Sequence, residues 1–432
     1  MTAFIKHLIT LLIFVTLSCE ARHEIGSCDN ELTYKVTIQN KQEFRFYEDL
    51  KRRSDDYDVI IDRPIRKFND TFIFRSKDCM IPKVVNLLKR HQISLYKIEN
   101  SPKLQRNWIP VTRLSKQNYF SFDVINTQYL NNEDINKYGY TLAEKIISMY
   151  PRLDVRYTTE GYTYEGLPIN SISIGYKGKQ NPVVVIDAGI HAREWHSRNL
   201  ALNILYQLGK EADLGVNGLL YNISFIIIPN LNPDGYRYSC HYDKDWRKNR
   251  RPVYYGCYGV DGNRNYDIEW SLGEQEKNPC EPIYKGLEPF SEAETQIVRN
   301  ILTKYQDQCF LYISIHTFGN KIIYPPGYST QPHPRKRYLH RVATAGVKAV
   351  RARTGTRFSA DQSGTGLYVA AGGSDDYAMD VLGIPFAYTF ESGLEELGFI
   401  VPPKYLKKTN LEGWIAIKAM IKEAYYMRNL KY

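Results

Sequence analysis

Two spacings of apolar residues alternate along most of this chain. Beyond about residue 118, "TLAEKIISMY" and "RNLALNILYQLGKEA" carry apolar residues at helical spacing, while "INSISIGY" and "NPVVVIDAGI" read as strands. Strands "ISFIIIPN", "FLYISIHT" and "FAYTFES" follow, separated by helices such as "SEAETQIVRNILTKY". Such alternation predicts an α/β fold with a mixed, mostly parallel sheet and helices on both faces. The run from Val183 to Ile186 is apolar throughout, as a strand buried on both sides requires. Three strands end in unusual residues: His191, His316 and Glu391.

The stretch from Leu32 to Glu99 has a different rhythm. "LTYKVTIQ", "YDVIIDRPI", "DTFIFRS" and "ISLYKIE" read as strands, with "KQEFRFYEDLKRR" and "MIPKVVNLLKRHQ" as helices between them. That content predicts a small α+β unit with an antiparallel sheet. "NSPKLQRNWIPVTRLSKQN" then reads as a linker with basic positions at Arg106, Arg113 and Lys116. Proteases cut such exposed basic linkers, although an uncut interdomain tether has the same composition. The resulting division is a leader at 1–21, a small unit at 22–98, a linker at 99–117 and a large domain at 118–432.

Composition narrows the class. At 432 residues the chain exceeds the usual single core, and its 43% hydrophobic and 24% charged residues are those of a globular protein. The net charge of +10 gathers partly in "KDWRKNRR" and "HPRKRY". Neither cluster has stacking aromatics in register, so a solvated basic surface is expected rather than a nucleic-acid site. The N-terminus, with Lys6 ahead of "LITLLIFVTL" and small residues from Ser18 to Ala21, has the anatomy of a secretory signal peptide. No later stretch reaches membrane-spanning length, so an exported protein without a membrane anchor is expected. Cys19 goes with the leader, leaving Cys28, Cys79, Cys240, Cys257, Cys280 and Cys309. An oxidising compartment permits their pairing, with about fifteen connectivities open. Export also gives meaning to the glycosylation sequons at Asn69 and Asn222, the second placed close to a buried strand.

Candidate chemistry concentrates in "GIHAREWHS", directly after the apolar strand. Alone, His191 and Glu194 could equally mark a surface helix start. With His316 they form two imidazoles and a carboxylate, a three-ligand catalytic zinc set that leaves one position open. Zinc makes water more acidic and polarises a carbonyl oxygen. A separate carboxylate must then take the proton, and Glu391 is placed for it.

The segments "GIHAREW", "PNLNPDGY", "WRKNR", "GVDGNRNYD", "SIHTF", "GLYVAAGGSDDYA" and "YTFE" resemble, in order, the signatures of the secreted zinc metallocarboxypeptidases, the pancreatic carboxypeptidase A and B family. The resemblance runs from about residue 118 to the C-terminus, and the small upstream unit is similar in pattern and length to that family's activation domains. It implies a zymogen with one zinc per chain on His191, Glu194 and His316. It implies a general base at Glu391 and an oxyanion-stabilising cation at Arg247. Asn263 and Arg264 would grip the substrate's terminal carboxylate, and Tyr368 would close over it. Arg193 would contact the substrate further from its terminus. Substrates would be peptide and protein C-termini, the activator a trypsin-like protease, and the enzyme a monomer.

The resemblance also implies a Cys257–Cys280 disulfide, leaving Cys28 with Cys79 and Cys240 with Cys309. Asp375, the first acidic residue of "GGSDD", falls where the family sets specificity, and an aspartate there goes with Lys and Arg. Closest in this motif is carboxypeptidase B. Three departures stand out: Phe318 replaces a tyrosine, "YAMDVLGIPFAY" is about one residue longer, and Gly364 and Gly366 would loosen the loop before Tyr368. Three classes remain: an active carboxypeptidase preferring basic or apolar C-termini, a silent binding protein on the same fold, and a zinc hydrolase of internal bonds. Asn263 and Arg264 argue against the last, since capture of a terminal carboxylate has no use there.

Overall fold

The computed structural model describes residues 31–37, 40–52, 59–63, 71–77, 98–100, 123–272 and 277–428, together with Val84, Leu87 and Arg90, which are helical. The expected leader, Arg106, Arg113, Asn69, Cys28 and Cys79 lie outside the described residues. The chain divides into two compact units, 1–106 and 107–432.

In the first unit, β1 (Glu31–Thr37), β2 (Val59–Arg63), β3 (Thr71–Lys77) and β4 (Ile98–Asn100) form an antiparallel sheet in the order β2-β3-β1-β4. Helix α1 (Lys41–Arg52) starts where the Asn40 side chain accepts a hydrogen bond from Glu43 N at 3.0 Å. That satisfies one of the donors a helix start leaves open. Phe46, Tyr47 and Leu50, spaced for one helix face, are buried.

The second unit is built on an eight-stranded sheet in the order β11-β10-β12-β9-β7-β8-β6-β5. Its strands are β5 (Leu153–Tyr162), β6 (Pro168–Tyr176), β7 (Val183–Ala188), β8 (Ser224–Ile228), β9 (Cys309–His316), β10 (Lys321–Tyr324), β11 (Ser359–Gln362) and β12 (Phe386–Glu391). The neighbours β12, β9, β7 and β8 run parallel, β6 and β5 on one side run against their neighbours, and β10 on the other is antiparallel to β12 and parallel to β11. Every residue of "VVVIDA" and "CFLYISIH" is buried, as parallel strands covered on both faces must be. The helices are α2 (Asn132–Met149), α3 (Trp195–Glu211), α4 (Pro233–His241), α5 (Ala293–Lys304), α6 (Lys336–Thr354) and α7 (Pro403–Met427). No helix of the described residues is long and apolar enough to cross a membrane.

Helix α2 begins before "TLAEKIISMY". Asn131 caps it by accepting from Asp134 N at 2.8 Å, and Ile135 and Tyr138 extend its buried stripe back from Leu142 and Ile146. One expected disulfide fails. Cys240 and Cys309 are both free and buried. Cys309 turns its thiol toward the Leu311 carbonyl at the start of β9, and burial pushes both thiols up to about 12, so they are unreactive. Asn222 is exposed, because it ends the short turn Leu219–Tyr221 before β8 begins.

The glycines before Tyr368 do something other than loosen their loop. They sit in a single helical turn, Ser363–Gly366, where a Cβ on Gly364 would lie 2.2 Å from the Ser329 carbonyl oxygen. Close backbone approach is what they permit. In the segment read as one residue longer, Tyr377–Val381 forms a wide π-turn in which Leu382 N donates to Tyr377 O at 3.1 Å. A π-turn is how a helix absorbs an extra residue.

A buried polar network braces the loop after Asp261. Asn249 donates to Glu292 at 2.7 Å and to Glu294 at 3.3 Å, and its own oxygen accepts from Val260 N at 2.8 Å. Burial, with the charge of Glu292 second, pushes Glu294 from 4.5 up to about 8. The native state therefore holds a proton there that the unfolded chain releases near 4.5, and stability falls as pH rises between those values. Glu294→Gln should stabilise the protein at pH 8 by an amount on the order of a few kcal/mol and do much less at pH 4.5. Calorimetric melting of both proteins across that range checks it. An equal difference at the two ends would show that Glu294 does not titrate in this window.

Candidate active site

The carboxyl ends of β7, β9 and β12 lie side by side, where parallel sheets of this kind bind ligands. His316 and Glu391 are the last residues of β9 and β12 and pair in register. After β7 the chain turns at Gly189, with φ +80°, and a Cβ there would lie 2.8 Å from the Arg198 guanidinium carbon. Buried Arg198 in turn donates to the carbonyls of Gly189 at 2.9 Å and Glu194 at 3.1 Å and to the Asn230 side chain at 2.8 Å. This cross-bracing fixes the loop that presents His191 and Glu194. Glu194 stands at the start of α3 without capping it, so its carboxylate is free to face the imidazoles.

The three side chains converge. His191 Nδ1 lies 2.8 Å from Glu194 Oε1, His316 Nδ1 lies 3.0 Å from Glu194 Oε2, and the two Nδ1 atoms are 3.1 Å apart. One donor atom from each residue falls within 4.8 Å of the others, and all three residues are buried. Burial would raise Glu194, but His191 and His316 hold it well below the usual carboxylate range. The far nitrogens are also held: His191 Nε2 is 3.0 Å from Asp261 Oδ1, and His316 Nε2 is 3.1 Å from Ser314 Oγ. Ser314 donates to buried Asp187, which Tyr312 also contacts. Outer partners that fix ring orientation are what imidazole ligands need, so this donor set fits zinc.

Glu391 sits beside the triad, partly buried, with Oε2 shielded from solvent and without a partner. Burial, followed by the charge of Glu194, pushes it up to about 8. A dication on the triad would work against the second cause. Arg247 places Nη1 3.8 Å from Glu194 Oε1, and its Nε donates to Asp261 at 2.8 Å. Asp261 thus orients both an imidazole and this cation. Burial opposes its charge, yet Arg247 and His191 hold it well below the usual range. Asp261 was not singled out in the sequence; it also supplies turn chemistry by accepting from Asn263 N at 3.0 Å. Its place within the segment that carries Asn263 and Arg264 was the available signal.

Asn263 accepts from Ser374 N at 3.0 Å, which fixes its amide, and Arg264 Nη2 donates to Tyr368 OH at 2.9 Å. The Cys257–Cys280 disulfide is formed near this loop, with Cα atoms 5.1 Å apart. Tyr368 is 56% exposed. Asp375 and Asp376 are both buried, but their roles separate. Asp376 accepts from Gly327 N at 2.9 and 3.0 Å, whereas Asp375 Oδ2 is buried without a partner. Arg193 lies 3.9 Å from the Phe399 ring centre, and Phe318 packs edge-on against Phe399 at 4.8 Å. Phe399 was not singled out in the sequence.

A profile described as zinc carboxypeptidase matches residues 140–416. Carboxypeptidase B of Astacus astacus is 33% identical over 305 residues, covering 69% of this chain and 99% of that protein. Zinc carboxypeptidase A 1 of Anopheles gambiae is 28% identical over 427 residues, covering 96% and 94%. Among solved structures, thrombin activatable fibrinolysis inhibitor superposes with a TM-score of 0.68 at 26% identity, over 92% of this chain and 99% of that one. With these matches and a buried His-Glu-His set that fits its metal, the chain belongs to the zinc carboxypeptidase family and is a metallocarboxypeptidase that uses one zinc.

Proposed function

We propose that this metallocarboxypeptidase is exported as a zymogen and, once activated, removes Lys and Arg from peptide and protein C-termini as a monomer. The observation that carries the basic preference is the buried Asp375 carboxylate with one oxygen unpartnered, next to an Asp376 already committed to Gly327. A buried carboxylate with an unpartnered oxygen is costly, and a cationic guest side chain relieves it.

His191, Glu194 and His316 would hold the zinc, which supplies Lewis acidity and makes water more acidic. Glu391 then takes the proton of the attacking water and returns it to the leaving amine, its unpartnered Oε2 being the accepting atom. Arg247 meets the negative charge that grows on the carbonyl oxygen, held in place beforehand by Asp261. Asn263 and the Arg264 fork take the terminal carboxylate, which restricts cleavage to the last bond. Tyr368 exchanges its hydrogen bond with Arg264 for contact with the bound terminus. Residues 22–98 act as the inhibitory segment, released by a trypsin-like cut within 99–117.

The test is an assay of the full chain before and after trypsin on peptides ending in Lys, Arg, Leu or Phe, with and without a zinc chelator. Treated protein should release Arg and Lys fastest, chelator should abolish release and added zinc restore it, while the intact chain stays nearly silent. Faster release of Leu or Phe would overturn the basic preference, and equal activity before and after cutting would overturn the zymogen.

A further inference from the structure

Helix α6 carries Lys336, Arg337, Arg341, Lys348, Arg351 and Arg353 and no acidic residue among its nineteen. All six are exposed. At 100° per residue Arg337, Arg341, Lys348 and Arg351 fall within an arc of about 80°, along about 21 Å of helix. Of these four, only Arg341 meets an acid, Glu423 of α7 at 2.5 Å; Arg337, Lys348 and Arg351 have none among the described residues. The arrangement opposes helix stability in two ways. Lys336 and Arg337 put positive charge at the positive end of the helix dipole. Arg337 with Arg341 and Lys348 with Arg351 are like-charge neighbours at i,i+4 and i,i+3, each destabilising by a few tenths of a kcal/mol. A continuous external anion would relieve both.

We propose that this face of α6 binds a sulfated polysaccharide. The inference rests on the proposed export for the partner's location, and on the stripe alone for its chemistry. Arginine forks match sulfate oxygens, and a line of cations suits a linear polyanion rather than a point ligand. No large apolar residue of α6 is exposed, so the stripe lacks what a helix needs to enter a lipid surface. No exposed aromatic is interleaved with the cations for base stacking, which disfavours single-stranded nucleic acid. None of the catalytic-site residues lies on α6.

The experiment measures binding of the full chain to heparin as a function of NaCl. It compares wild type with an Arg337→Ser, Lys348→Ser, Arg351→Ser protein and with a control in which exposed Arg152, Lys177 and Lys304 become Ser. The stripe variant should elute at clearly lower salt, and its slope of log affinity against log salt should fall by roughly two to three, close to one per charge removed. The control should shift far less. Equal shifts in both triple variants would mean that only net charge matters and would overturn the proposal. So would undiminished binding to desulfated heparin, or tighter binding at equal salt to phosphatidylserine vesicles or single-stranded DNA. Peptidase activity is read on aliquots of the same samples after trypsin treatment and should be unchanged. A preparation that stays inactive after trypsin treatment with zinc present, yet binds through the stripe, would sink the proposed function and leave this one standing.

Discussion

Glu391→Gln should lower kcat by roughly a thousandfold on the best peptide substrate, within the range a positioned general base contributes. Zinc content and KM should stay close to wild type. The substitution keeps the shape of the side chain and removes only its ability to take a proton. Because Glu391 ends β12 beside His316 rather than contributing to the convergent donor set, the metal site should survive. Partial burial without a hydrogen-bond partner on Oε2 leaves that oxygen available for water. Steady-state kinetics with metal analysis on the same preparation checks the expectation. A loss below tenfold would remove Glu391 from the reaction. A comparable loss of zinc would instead make it structural.

Much of this site was legible in the sequence, for a physical reason. Central parallel strands must be apolar on both faces, so "VVVIDA" and "CFLYISIH" announced themselves, and the residues at their ends were conspicuous by contrast. Strand β11, "SADQ", was not legible, because it is a short edge strand with three of its four residues off the core. Helix α6 was passed over for another reason: its cations in "HPRKRY" read as a solvated cluster, and only the helix places Lys348 and Arg351 on the same line. Asp261 was hidden by its own local role, since a carboxylate that caps a turn gives no hint of the imidazole and guanidinium reaching it from elsewhere. Spacing along the chain predicts local structure well. Partners brought together by the sheet have to be seen.

Asp375→Ile should lower the Arg-to-Leu ratio of kcat/KM by roughly a hundredfold or more. A carboxylate about 4 Å from a guanidinium gains on the order of 4 kcal/mol of gross attraction at an effective dielectric near 20. Desolvation offsets part of that, and each 1.4 kcal/mol remaining is about tenfold in the ratio. An apolar guest in the wild-type pocket leaves the carboxylate unpaired, so the exchange acts on both sides of the comparison. Burial also raises Asp375 from its ordinary value, so lowering the pH should protonate it early and erode the proposed preference for Arg before general unfolding. Asp375→Asn separates charge from packing, because it is nearly isosteric and should keep the fold while losing most of the preference. Asp376→Asn should instead cost stability, through the two contacts to Gly327 N, with little change in the ratio among molecules that fold. If the asparagine at 375 leaves the Arg-to-Leu ratio intact, Asp375 is a structural residue and specificity is set elsewhere in the pocket.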